Sequence, residues 1–178
     1  MKIVSTDFQD LFVMEYDSFR DKRGEFVKTI HAETFRENNL TYQYDESFYS
    51  VSNKNVIRGM HYQLPPDDHV KLVHVVTGSI LDVVLDLRVE SAMFGKFFSI
   101  ELSSENRKGI YIGKGFAHGF LSLKENTIVE YHTSTAQSRE SEAGIKFDSF
   151  GYDWEIKDPI ISSRDLEFKP FAEIVSPF

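Results

Sequence analysis

The chain has 178 residues and a formal net charge of −8, is 41% hydrophobic and contains no cysteine. That length buries a sizeable core as one domain over residues 1–178, and the missing cysteines exclude disulfides, thiolate catalysis, zinc–thiolate sites and iron–sulfur clusters together. The acidic balance argues against nucleic-acid binding, which needs a basic face to displace counterions, and the lack of cysteine fits a cytoplasmic protein.

Residues 1–8 hold no apolar run of signal-peptide length and no later stretch approaches a membrane span, so no membrane partner is expected. The best helical stretch is Ala32 to Asn39, short and ended by two turn-forming asparagines. Beyond it the chain reads as short strands broken by turns. Residues 70–76 and 79–88 are strands separated by Thr77-Gly78, which predicts a hairpin. In the second, Leu81, Val83, Leu85 and Leu87 point one way, and Asp82, Asp86 and Arg88 the other. Further strands are predicted at 96–102, 109–112, 119–123 and 127–133, while residues 156–165 read as a loop. With 16 Phe, 8 Tyr, almost no helical periodicity and no repeat or linker, the pattern indicates an all-β sandwich or barrel such as a jelly roll.

Three segments concentrate side chains that a packed barrel does not need: Arg58-Gly59-Met60-His61-Tyr62-Gln63, Lys71-Leu72-Val73 and Gly115-Phe116-Ala117-His118-Gly119-Phe120. They bring two histidines, an arginine and a lysine from separate strands. Strict alternation puts Arg58 and His61 on opposite faces. Both can reach one pocket only if Gly59 bends or bulges the strand, and that bend is expected.

In order and spacing these segments resemble the dTDP-4-dehydrorhamnose 3,5-epimerase family. The likeness also includes Asp21-Lys22-Arg23-Gly24, Phe94-Gly95-Lys96, Leu102-Ser103-Ser104-Glu105-Asn106, Glu142-Ala143-Gly144-Ile145 and Pro159-Ile160-Ile161-Ser162, and runs from about residue 10 to residue 165. It implies a cupin-type double-stranded β-helix with a few short helices, a homodimer, a nucleotide-sugar substrate and no cofactor. By the same resemblance His61 is the catalytic base, Asp165 its paired carboxylate, Tyr131 the general acid on the opposite face of the sugar, and Lys71 the lysine beside it. Arg23, Arg58 and His118 fall on substrate- and phosphate-binding positions, Glu142 on a further binding position, and Arg164 replaces a ligand-contacting lysine. The chemistry is coherent. Epimerisation beside a ketone removes a weakly acidic C–H proton and returns one to the other face, which suits a neutral imidazole, a cation for the enolate oxygen and a hydroxyl donor.

Many cupin barrels hold a metal through a His-x-His pair, a glutamate and a later histidine. This chain has no His-x-His, and His61, His69 and His74 are too widely spaced for one, so no catalytic metal is expected. The departures from the family fall on substrate contacts. Glu46-Ser47-Phe48 stands for Gln-Asp-Asn, Lys28 for a glutamate, Gln137 for the tyrosine that stacks on the base, His74 for an arginine and Lys114 for a glutamate. Glu46, Phe48, Lys28 and Gln137 are therefore candidate specificity residues. The alternatives left open are a single-centre 3- or 5-epimerase on another nucleotide sugar, a 3,4-ketoisomerase, and a sugar-binding cupin without activity.

Overall fold

A computed structural model describes residues 1–178. Its strands are β1 (Lys2–Ser5), β2 (Leu11–Glu15), β3 (Ser18–Asp21), β4 (Gly24–Val27), β5 (Glu46–Ser52), β6 (Ile57–Gln63), β7 (Lys71–Thr77), β8 (Ser79–Asp86), β9 (Phe97–Ser103), β10 (Lys108–Ile112), β11 (Phe116–Ser122), β12 (Thr127–Thr133) and β13 (Glu142–Gly144). Two short helices, α1 (Ala32–Glu37) and α2 (Ser163–Leu166), and a 3₁₀ turn at Phe171–Glu173 complete the regular structure. Helix α1 stops where the asparagines predict, with Asn38 at its C-cap and Asn39 at a φ of 57°.

The strands form a six-stranded sheet in the order β1-β2-β10-β7-β12-β5 and a five-stranded sheet in the order β13-β6-β11-β8-β9, with β3 and β4 as a separate hairpin. All the strand pairings are antiparallel. The two large sheets share a core of Leu11, Val73, Val75, Ile80, Val84, Leu102, Ile110, Phe120 and Val129, as the cupin-type sandwich requires. Burying each of these side chains contributes roughly 1.5–3 kcal/mol before chain entropy is counted. The outer faces are covered in part. Val83, Leu85, Leu87 and Leu121 pack against Ile145, Phe150 and Trp154, while Met14, Leu72 and Tyr111 pack beneath Phe35 of α1.

Two sequence expectations are corrected here. Residues 70–76 and 79–88 are strands but not a hairpin: β7 pairs with β10 and β12, and β8 with β11 and β9. Gly78 turns the chain from one sheet into the other at a φ of 86°, and a Cβ there would lie 2.3 Å from Thr127 Oγ1. The stretch 156–165 is not wholly a loop. Ile160 bridges Val56, and the chain then winds into α2, whose first turn is capped by the Ser162 hydroxyl accepting from the Asp165 N–H.

The expected bend at Gly59 is present. His118 pairs with His61 and Phe120 with Arg58, so three steps along β6 face two along β11, which is one extra residue in β6. Gly59 has a φ of 135°, its peptide to Met60 is cis, and a Cβ on it would lie 2.5 Å from Gly119 Cα. The extra residue brings Arg58 and His61 to one face.

Candidate active site

A cavity of about 440 Å³ opens between the two sheets, walled by β5, β7 and β12 on one side and β6 and β11 on the other. His61, Lys71, Tyr131, Arg58, His118, Glu46, Phe48, Gln137, Glu142 and Arg164 all line it. Asp165 stands behind His61. Arg23 and Lys28, placed among the binding residues from the sequence, do not reach this cavity. Both are exposed, Arg23 at the tip of the β3–β4 hairpin paired with Asp21 and Lys28 just beyond it. That hairpin hydrogen-bonds to no other strand, and Glu25 ties it instead to Arg107 before β10.

His61 Nε2 lies 2.9 Å from Asp165 Oδ1. Arg164 Nη2 also comes within 3.2 Å of that nitrogen, but an ionised carboxylate can only accept, so Nε2 carries the proton and Nδ1 keeps the basic lone pair. Phe168 packs edge-on against the imidazole with ring centres 5.7 Å apart, fixing its plane. Burial alone would raise the Asp165 carboxyl. Hydrogen bonds from His61, the Gly59 N–H (3.2 Å) and Ser162 overcome it and hold the group at about 2. Burial pushes His61 below the ordinary imidazole value, with Asp165 pulling it partly back up. The pair therefore stands at neutral pH as a neutral imidazole on a carboxylate, which is the resting state of a general base.

Lys71 Nζ lies 3.4 Å from the His61 carbonyl oxygen, and burial pulls the ammonium down to about 8 against the pull of Asp82 and Glu142. Tyr131 enters from the sheet that also carries Lys71, facing the sheet that carries His61. Burial pushes its hydroxyl up, so it stays protonated and able to donate. Phe48, its cross-strand partner, stacks flat on the Tyr131 ring, with centres 4.9 Å apart at 15°. At the mouth, Gln137 donates its backbone N–H to Glu46 and its amide to Glu142 (2.9 and 2.7 Å), and Glu142 pairs with Arg164 at 3.1 Å. Arg58 is held by Ser52 Oγ and the Val51 carbonyl.

Several residues were not found from sequence. Asp82 is fully buried and accepts from His118 Nε2 at 2.8 Å, fixing that ring beneath the cavity. Alternation along 79–88 assigned it only to the face opposite the leucines, and that face turns out to be the inner one. His69, which burial and the charge of Lys71 hold down at about 3, lines the cavity with Ser50 and Thr133, whose buried hydroxyls have no protein partner. A histidine flanked by aspartates and two hydroxyls on strands carried no distinguishing pattern.

An imidazole paired with a carboxylate, a buried lysine and a protonated phenol are thus gathered around one cavity whose mouth is lined with ion pairs and amides. A family model described as dTDP-4-dehydrorhamnose 3,5-epimerase matches residues 5–173. The dTDP-4-dehydrorhamnose 3,5-epimerase of Shigella flexneri is 34% identical over 97% of each chain, and that of Methanothermobacter thermautotrophicus 36% identical over 97% of this chain and 95% of its own. Among solved structures, the enzyme of that name from Elizabethkingia anophelis superposes with a TM-score of 0.90 at 35% identity, covering 97% of each chain. A Legionella pneumophila epimerase in complex with dTDP-4-keto-L-rhamnose superposes at 0.92 with 31% identity, covering 98% of this chain and 94% of its own. The chain belongs to the dTDP-4-dehydrorhamnose 3,5-epimerase family.

Proposed function

We propose that this protein epimerises C3 and C5 of a dTDP-4-keto-6-deoxyhexose, converting dTDP-4-keto-6-deoxy-D-glucose to dTDP-4-keto-L-rhamnose. The observation that carries the reading is the His61–Asp165 pair facing the same cavity as Tyr131, with Lys71 beside it. In the forward step His61 Nδ1 takes the proton from the carbon next to the ketone. The C–H electron pair moves into the new carbon–carbon double bond and the carbonyl pair onto oxygen, where the Lys71 ammonium stabilises the enolate. Tyr131 then gives its proton to the opposite face of that carbon and regains one from solvent, while the His61 imidazolium releases the abstracted proton to solvent. Proton count and oxidation level are unchanged overall.

Arg58 and Arg164 supply charged donors suited to the diphosphate, and the free hydroxyls of Ser50 and Thr133 suit the sugar. Gln137, standing where the resemblance expects a stacking ring, gives a hydrogen-bonding contact to the base in place of a stacked one. The working unit of this proposal is a homodimer. The β3–β4 hairpin exposes Phe19 and Phe26 at 67% and 60% and carries Arg23, and a second chain would give all three a place. Light scattering should then give twice the 20.6 kDa chain mass.

The test is solvent deuterium exchange. The protein is incubated in heavy water with dTDP-, CDP- and GDP-4-keto-6-deoxyhexoses, and incorporation at C3 and C5 is read by NMR. Exchange at both carbons of the dTDP sugar, abolished in His61→Ala, is the expected result. Exchange at one carbon would make it a single-centre epimerase, and exchange with another nucleotide alone would move the substrate. No exchange with any of them would overturn the reading in favour of a ketoisomerase or a sugar-binding protein.

A further inference from the structure

The six-stranded sheet carries a second cluster on its other face. Along β7 and β12, alternation sends Lys71, Val73, Tyr131 and Thr133 inward to the cavity and core, and His74, Glu130 and His132 outward. Glu130 sits directly across from His74 in the ladder, and His132 follows two residues on, on the same face.

The three side chains converge. Glu130 Oε2 lies 3.1 Å from His74 Nε2, Glu130 Oε1 lies 3.9 Å from His132 Nε2, and one ligating atom from each residue lies within 4.8 Å of the others. The two imidazoles are near parallel at 19°, with centres 5.8 Å apart. A single hydrogen bond accounts for Glu130 and His74, but it leaves His132 Nε2 buried and without a partner. The Tyr16 hydroxyl and His74 Nδ1, on rings that meet edge-on at 5.9 Å, are buried and unpartnered as well. Orphaned buried polar atoms are uncommon in native proteins and call for a reason. Packing does not supply one here, since a hydrocarbon side chain at 132 would fill the space without a stranded nitrogen.

We infer that His74, Glu130 and His132 form a binding site for a divalent transition metal of the zinc class, separate from the epimerase cavity. Two imidazoles and one carboxylate are a recurrent ligand set for such ions, which fill the remaining positions with water. An open cavity of about 480 Å³, lined by His74, Glu130 and Tyr16, provides the entry path and room for that water. An ion there would bridge β7 and β12 on the face turned away from Lys71 and Tyr131. His74 Nδ1 lacks the second acceptor that steadies the ring in the tightest sites, so binding is expected to be reversible by chelators.

The test uses the full chain, stripped with chelator and dialysed against Co²⁺ or Zn²⁺. Metal per chain is measured by mass spectrometry, and visible d–d bands of the cobalt form report the ligand set. Since His74 is buried, the variants are placed at His132 and Glu130, whose side chains are 15% and 37% exposed. The expected result is one equivalent of metal in the wild type, with affinity weakened about 100-fold or more in His132→Ala and in Glu130→Gln. Circular dichroism and deuterium exchange on the sugar should stay at wild-type levels in both. Uptake well below one equivalent by the wild type, or uptake that both variants retain, overturns the site.

Discussion

Replacing Asp165 by asparagine keeps the shape behind His61 and removes the charge. Asp165 titrates at about 2 where an ordinary aspartate titrates at 3.8. At about 1.4 kcal/mol per pH unit, that gap is worth roughly 2 kcal/mol of favourable interaction with its surroundings, the hydrogen bond to His61 foremost. When His61 takes the substrate proton, the imidazolium it becomes is stabilised across the same 2.9 Å contact. Losing that support slows proton abstraction roughly 30-fold. An asparagine can also turn its NH₂ toward Nε2, which moves the ring proton to Nδ1 and removes the base; a misplaced tautomer of this kind costs up to about 10⁴-fold. The expected kcat loss therefore lies between about 30-fold and 10⁴-fold, with KM little changed because Asp165 does not line the cavity. Burial lowers the His61 pKa and Asp165 raises it, so Asp165→Asn should move the acid limb of the kcat/KM profile to lower pH. Stability carries a matching signature. The folded Asp165 value lies below the unfolded one, so its contribution is present above pH 3.8 and is lost as pH falls toward 2, and the gap between wild type and variant should close over that window. A variant with kcat within about threefold of wild type, or an acid limb that moves upward, would refute the assignment of Asp165 as the partner of the base.

Tyr131→Phe should lower epimerisation by about 10²–10⁴-fold while deuterium exchange at the abstracted position persists, since His61 can still remove and return a proton on one face; equal loss of both would contradict a donor role. Burial holds Lys71 at about 8, so kcat/KM should fall as pH rises through that value and the enolate loses its cation. In Lys71→Met the limb should vanish along with most of the activity, and a surviving limb near pH 8 would assign it elsewhere. Gly59→Ala would force a Cβ to within 2.5 Å of Gly119 Cα at a φ of 135°, and should destabilise the fold by more than about 3 kcal/mol in urea titration.

The parts of the site legible in the sequence were those whose roles rest on residue type at fixed spacing. Arg58-Gly59-Met60-His61 called for a bulge because an arginine and a histidine three residues apart cannot share a face of a regular strand, and the β6–β11 register supplies the extra residue. The strand at 127–133 was placed to the residue, because its alternation is bounded by Glu125-Asn126 on one side and Ser134 on the other. What failed depended on which strands meet. A glycine turn between two apolar strands looks the same whether the chain doubles back or crosses to the facing sheet; Gly78 makes the crossing, and only the pairing of β8 with β9 and β11, strands further along the chain, decides it. The same misreading hid Asp82. A hairpin exposed on one side would send an aspartate to water, whereas a strand buried on both faces must pair it, and the partner, His118, lies thirty-six residues away on β11. Arg23 is a third case. The resemblance put it on a phosphate-binding position, yet within one chain the hairpin that carries it pairs with no strand of either large sheet. The fold holds this guanidinium on an exposed arm beside two exposed phenylalanines, Phe19 and Phe26, which is why the proposed homodimer, and not one chain alone, is the unit in which Arg23 is expected to meet the ligand.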